Sequence, residues 1–155
     1  MIALKRILVP ADFSKPCEVA VNYAKALADA FHESLHVLHV IQDPFVHGFS
    51  PGPYVAAPPG YREELEKLAQ DQLRGLLTDS ERSRFSAILV KKWGSPFLEI
   101  IRYAKSENVD LIVMGTHGRG PVAHMLLGSV AEKVVRKAPC PVLTVRHPEH
   151  EFVMP

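Results

Sequence analysis

Four residues near the C-terminal end of the chain have the types and spacing to hold an anion: Gly115, Gly118, Gly128 and Ser129, with nine residues between the second and the third. Glycine lets a backbone approach a ligand closely. Ser129 adds a hydroxyl at the start of a helical pattern, where unpaired N–H groups and the helix dipole favour negative charge. The run before them, Leu111 to Met114, is short and apolar, so the order is strand, glycine-rich turn, helix N-terminus. Such an order turns backbone N–H groups toward a phosphate. Neither common phosphate fingerprint is present: no Lys-Ser/Thr pair follows the glycines, and no G-x-G-x-x-G opens an early turn. On spacing alone, glycines that serve only the backbone remain the competing reading.

Few other side chains offer chemistry. Asp12 follows the first strand pattern as a lone carboxylate. His117, between Thr116 and Gly118, reads as a structural or solvated turn residue rather than a general base, and Arg119 is either a phosphate contact or a solvated cation. His36 and His39 are three apart on a strand pattern, so they point to opposite faces and make no metal site together; both read as structural. Cys17 and Cys140 belong to no C-x-x-C or Cys/His cluster and read as packing thiols.

These residues need a scaffold, and the 155-residue chain is long enough to bury one core as a single domain spanning 1–155. A balance of 18 basic and 17 acidic residues gives a net charge of +1 with no basic block, so neither nucleic acid nor a membrane surface is indicated as a partner. No stretch reaches the ~20 apolar residues of a spanning helix and the N-terminal apolar run is too short for a signal segment, so a cytoplasmic protein is expected.

Strand patterns run over 2–10, 34–41, 85–93, 108–114 and 142–146. Helical patterns alternate with them over 17–31, 61–79, from Ser95-Pro96 to about Ala104, and 129–137. Between Gln42 and Gly60 lie five prolines and three glycines without hydrophobic period, a long connection rather than a second domain. The tail 147–155 has no clear period either. Alternation of this kind predicts an α/β fold: an open parallel sheet of five strands with helices on both faces and right-handed crossovers. Ligands in such sheets bind beyond the carboxyl ends of the strands, where the strand order reverses. Pro10-Ala11-Asp12, Val40-Ile41 and Gly115 to Gly120 occupy that edge.

Gly115-x-x-Gly118-x9-Gly128-Ser129 resembles the ATP-binding signature of the universal stress protein family. The likeness extends along nearly the whole chain: ILVPADFS resembles the family's first strand and Asp-containing turn, LHVLHVI its second strand, and DLIVMGTHGRG through CPVLTVR its last two strands. The resemblance implies a Rossmann-like, adenine nucleotide alpha hydrolase-like sheet ordered 3-2-1-4-5, with the reversal between strands 1 and 4. It implies that Pro10, Ala11 and Asp12 line a nucleotide pocket, with Asp12 near the ribose or a phosphate-bound Mg or Mn ion. By the same resemblance the Val40 backbone addresses adenine, Met114 and Gly115 flank the ribose, and Gly118, Gly128, Ser129 and Val130 hold phosphates, with Arg119 as a further contact. Ala11 departs from the hydroxyl residue common there. The function implied is an ATP-binding stress-response regulator, carrying ATP or its ADP or AMP forms, with at most slow hydrolysis, and dimeric through strand 142–146. Two other readings stay open: an ATP-hydrolysing or phosphoryl- or adenylyl-transferring enzyme, and a nucleotide-free interaction module. Phosphoryl transfer needs a cationic clamp and a placed base, and the loop offers no lysine.

Overall fold

Parallel strands cover both their faces, and here two apolar layers do so. A computed structural model describes residues 4–43, 45, 56–116 and 127–146. Its elements run β1 (Arg6–Pro10), α1 (Lys15–Phe31), β2 (Ser34–Ile41), α2 (Tyr61–Gly75), α3 (Asp79–Arg84), β3 (Ile88–Trp93), α4 (Pro96–Ser106), β4 (Leu111–Gly115), α5 (Ser129–Lys137) and β5 (Val142–Val145). The strands form one parallel five-stranded sheet in the order β3-β2-β1-β4-β5, as expected.

The pleat divides the side chains between two cores. Ile7, Val9, Leu35, Val37 and Val113 pack with Ala20, Val21, Ala24 and Ala28 of α1 and Leu73 of α2. Leu8, Leu38, Val40, Ile112 and Met114 pack with Ile100, Tyr103 and Ala104 of α4 and Ala131 and Val134 of α5. Alanines on α1 have no bulk beyond Cβ, so that helix lies close to the sheet.

Several element boundaries differ from the sequence reading. The helix expected over 61–79 is two helices. Its leucine stripe continues through Leu76 and Leu77, but Thr78 takes extended backbone and caps a new helix, α3. Thr78 Oγ1 accepts from Glu81 N–H at 3.2 Å and Glu81 Oε2 accepts from Thr78 N–H at 2.9 Å, a reciprocal capping box. β3 begins at Ile88 rather than Phe85, because Phe85 ends α3 and Ser86 sits at φ 43°. β4 begins at Leu111 rather than Asn108, which turns the chain at φ 49°. β1 begins at Arg6, and β5 ends one residue before Arg146.

The N-terminal edge is fastened by Asp110, whose Oδ2 accepts from the N–H groups of Lys5 at 2.8 Å and Arg6 at 2.9 Å. The C-terminal edge carries the candidate site. No helix among the described residues is long and apolar enough to cross a membrane.

Candidate functional site

The opening at the C-terminal edge starts with a proline. Peptide groups alternate sides along a strand, and Ala11 N–H donates to Leu38 O on β2 at 2.8 Å. Pro10 therefore faces β4, where it has no N–H to give. Both strands run on, yet the β1–β4 ladder stops at Leu8 and Ile112, whereas β1–β2 pairing continues to Pro10 and Leu38. The gap in the ladder falls between the strands at which the sheet order reverses.

One wall of this gap is the turn after β1. Asp12 Oδ1 accepts from Ser14 N–H at 3.0 Å and from Ser14 Oγ at 2.6 Å. Ser14 Oγ in turn accepts from Cys17 N–H at 3.3 Å and so caps α1. Asp12 is thereby held on a rigid helix start. Beneath it Cys17 is buried, and that burial, helped by the nearby charges of Asp12 and Glu18, pushes its thiol up to about 11. The thiol stays protonated near neutrality and packs, as the sequence suggested; Cys140 is likewise pushed up by partial burial.

The other wall is the end of β4 and the start of α5. Thr116 N–H donates to Val145 O at 3.0 Å, and Gly128 N–H donates to Thr116 O at 2.5 Å, which brings the two ends of the glycine loop together. Gly128 is the N-cap of α5 and, lacking a side chain, makes no side-chain cap bond. The first-turn N–H groups of Ser129 and Val130 precede the first N–H with a helical partner, Glu132 to Gly128 O at 2.9 Å. Gly115 joins the walls: a Cβ built on it would stand 2.8 Å from Pro16 Cβ, so β4 reaches α1 only without a side chain there.

The structure thus brings Pro10, Ala11 and Asp12 on β1 and its turn, Val40 on β2, Met114 and Gly115 on β4, and Gly128, Ser129 and Val130 at α5 to one edge of the sheet. Val40, Met114 and Ala11 are buried. Gly118 and Arg119, and with them His117, lie outside the described residues, as do 46–55 of the proline-rich connection. Thr116, buried with 2 % exposure, carries no sequence signal of its own; its loop-closing role depends on contacts with Val145 and Gly128 that no spacing rule encodes.

The histidines behave as the strand period requires. His36 is buried on the α4 side with Nδ1 2.8 Å from Tyr103 Oη, and His39 faces the α1 side with Nδ1 2.7 Å from Ala11 O. Burial holds the His36 imidazole below its ordinary pKa and pushes the Tyr103 phenol up to about 12, so the pair is neutral. No group of three His, Cys, Asp or Glu able to hold a metal occurs among the described residues.

Comparison with known proteins adds to this geometry. The model of the universal stress protein family matches residues 3–146. The universal stress protein MJ0577 of Methanocaldococcus jannaschii is 30% identical over 157 residues, covering 94% of this chain and 96% of the relative. Its structure superposes with a TM-score of 0.73 at 29% identity, over 94% of this chain and 98% of that one. Two more distant structures share the fold: a universal stress protein in complex with cAMP (TM-score 0.66, 23% identity, 93% of this chain and 98% of that one), and one from Archaeoglobus fulgidus in complex with dAMP (TM-score 0.59, 20% identity, 93% and 98%).

Proposed function

The chain belongs to the universal stress protein family, and from that premise we propose that it binds an adenine nucleotide, ATP or its ADP or AMP forms, and that occupancy biases a conformation or an assembly in a stress response. The observation that carries this reading is the end of β1–β4 pairing beside the Asp12 turn and beside the start of α5, which has no side-chain cap among the described residues. A side-chain cap at Gly128 would spend the first N–H groups of α5 internally; with glycine there, they suit phosphate oxygens. Two proteins of this fold hold adenine nucleotides, cAMP in one and dAMP in the other.

In this reading Pro10, Ala11 and Asp12 line the pocket, the Val40 peptide meets adenine, and Met114 and Gly115 flank the ribose. Gly118, Arg119, Gly128, Ser129 and Val130 hold the phosphates. A lone carboxylate suits a Mg or Mn ion that arrives with the nucleotide and takes most of its ligands from phosphate and water; such an ion would neutralise phosphate charge when bound. Asp12 would hold it, kept in place by Ser14.

The reading favours holding over turnover, with at most slow hydrolysis, because phosphoryl transfer calls for a base and a cationic clamp and Asp12 Oδ1 is already engaged by Ser14. We further propose a cytoplasmic homodimer paired through β5, an edge strand whose Leu143 is 38% exposed. Mass spectrometry of the small molecules released on denaturing the purified protein tests the reading. An adenine nucleotide is expected. Its absence, together with no thermal shift on adding ATP and Mg²⁺, would favour the interaction module, and multiple turnovers per second lost in Asp12→Ala would favour the enzyme.

A further inference from the structure

Past the end of β1 the two central strands stop matching. Ser34 N–H donates to Lys5 O and Ala11 N–H to Leu38 O, so the even residues of β2 face β1; Leu35 N–H donates to Phe85 O and Gly94 N–H to Ile41 O, so the odd residues face β3. Val40 therefore turns its N–H and C=O toward β1 at a level where β1 has left the sheet. If the ladder ran on, Val40 N–H would meet the Ala11 carbonyl. Among the described residues no such bond forms. That carbonyl lies instead 2.7 Å from His39 Nδ1.

A carbonyl only accepts, so His39 Nδ1 carries the hydrogen. The same imidazole lies against Phe13, with ring centroids 4.5 Å apart. Phe13 has left-handed backbone, φ 62°, which is uncommon for a bulky residue and is sustained only by its surroundings. His39 thus holds both neighbours of Asp12, Ala11 through a hydrogen bond and Phe13 through ring contact.

We infer that His39 is a positioning residue: by capping the Ala11 carbonyl with Nδ1–H it keeps the Val40 peptide open to the polar edge of adenine and fixes the turn that presents Asp12. This rests on the adenine reading above. Without the donor, Ala11 O becomes available to Val40 N–H, and the ladder closes over the base contact. Preference for adenine over guanine is therefore the property that His39 controls.

Two measurements test this. Nitrogen-15 NMR of the wild-type protein at mildly alkaline pH should find His39 in the Nδ1–H tautomer; an Nε2–H tautomer with bare Nδ1 overturns the inference, whatever the protein binds. Calorimetry with ATP and with GTP then compares wild type, His39→Phe, which keeps a ring against Phe13 but loses the donor, and His39→Asn, whose amide N–H reaches the same acceptor. His39→Phe should lose roughly tenfold in ATP affinity with a smaller change for GTP, by analogy with the loss of hydrogen-bond partners that orient metal ligands. His39→Asn should keep most of the preference. An ATP-to-GTP ratio unchanged in His39→Phe overturns the role of His39 while leaving the nucleotide reading intact. No ATP binding by the wild type overturns both.

Discussion

Gly115 and Pro16 meet where β4 reaches the first turn of α1, so closely that a Cβ on Gly115 would stand 2.8 Å from Pro16 Cβ and 3.1 Å from the Pro16 carbonyl carbon. The contact is with backbone and a rigid ring, neither of which can swing aside. Gly115→Ala should therefore push α1 outward and cost about 1–3 kcal/mol, as overpacking does. Denaturant unfolding measures it; a loss within error of zero would show that α1 moves freely there.

The buried His36–Tyr103 pair gives stability a pH dependence. Burial holds His36 in the folded protein below its ordinary value of 6.5, opposed by Glu107 and assisted by Arg6. Above 6.5 the imidazole is neutral in both states and its contribution is flat. As pH falls below 6.5 the unfolded chain binds the proton first, so stability declines until the folded pKa is reached. The expected signature is an acid limb that starts near 6.5 and flattens in the double variant His36→Leu/Tyr103→Phe. An unchanged limb would remove His36 as its source.

Tyr103→Phe alone deletes the Tyr103 hydroxyl that partners His36 Nδ1 and leaves that nitrogen buried. The expected cost is about 1–3 kcal/mol. Chemical unfolding at neutral pH checks it, and a neutral substitution would mean that the ring nitrogen finds another partner.

Thr78 carries the cap that divides α2 from α3. Thr78→Ala removes the acceptor for Glu81 N–H and should cost about 1 kcal/mol. Loss should appear first as faster amide exchange over 79–84. Uniform loss of protection across the chain would instead mark the cap as part of the main cooperative unit.

The proposed dimer makes β5 its seam. Leu143→Lys places a charge on the edge strand, and sedimentation should find wild type at twice the chain mass and the variant at one. A wild-type protein sedimenting as one chain at micromolar concentration would dismiss the pairing.

Much of this architecture is written locally in the sequence. Ser14 before Lys15-Pro16 and the glycine that ends β4 mark their elements by residue type, and the alternating strand and helix patterns give a parallel sheet. The strand order is implied only by the family resemblance, because periodicity carries no neighbour information. The leucines over 61–79 keep one stripe while the backbone restarts, so periodicity alone joins α2 and α3; the T-x-x-E of Thr78–Glu81 is the signal that divides them. Asn108 and Ser86 take left-handed backbone that side-chain patterns do not report. Of the candidate site, Asp12, Gly128 and Ser129 are legible by type and spacing. Thr116 and His39 are not, since each acts through a carbonyl that only the folded chain brings within reach.

Pro10 has a last consequence. Because an imino acid faces β4, the missing rung between β1 and β4 is a property of covalent structure and exists before any ligand arrives. A molecule binding at that gap has no strand pair to unzip, so its association should be limited by encounter rather than by opening, and the empty and filled sheets should be nearly superimposable.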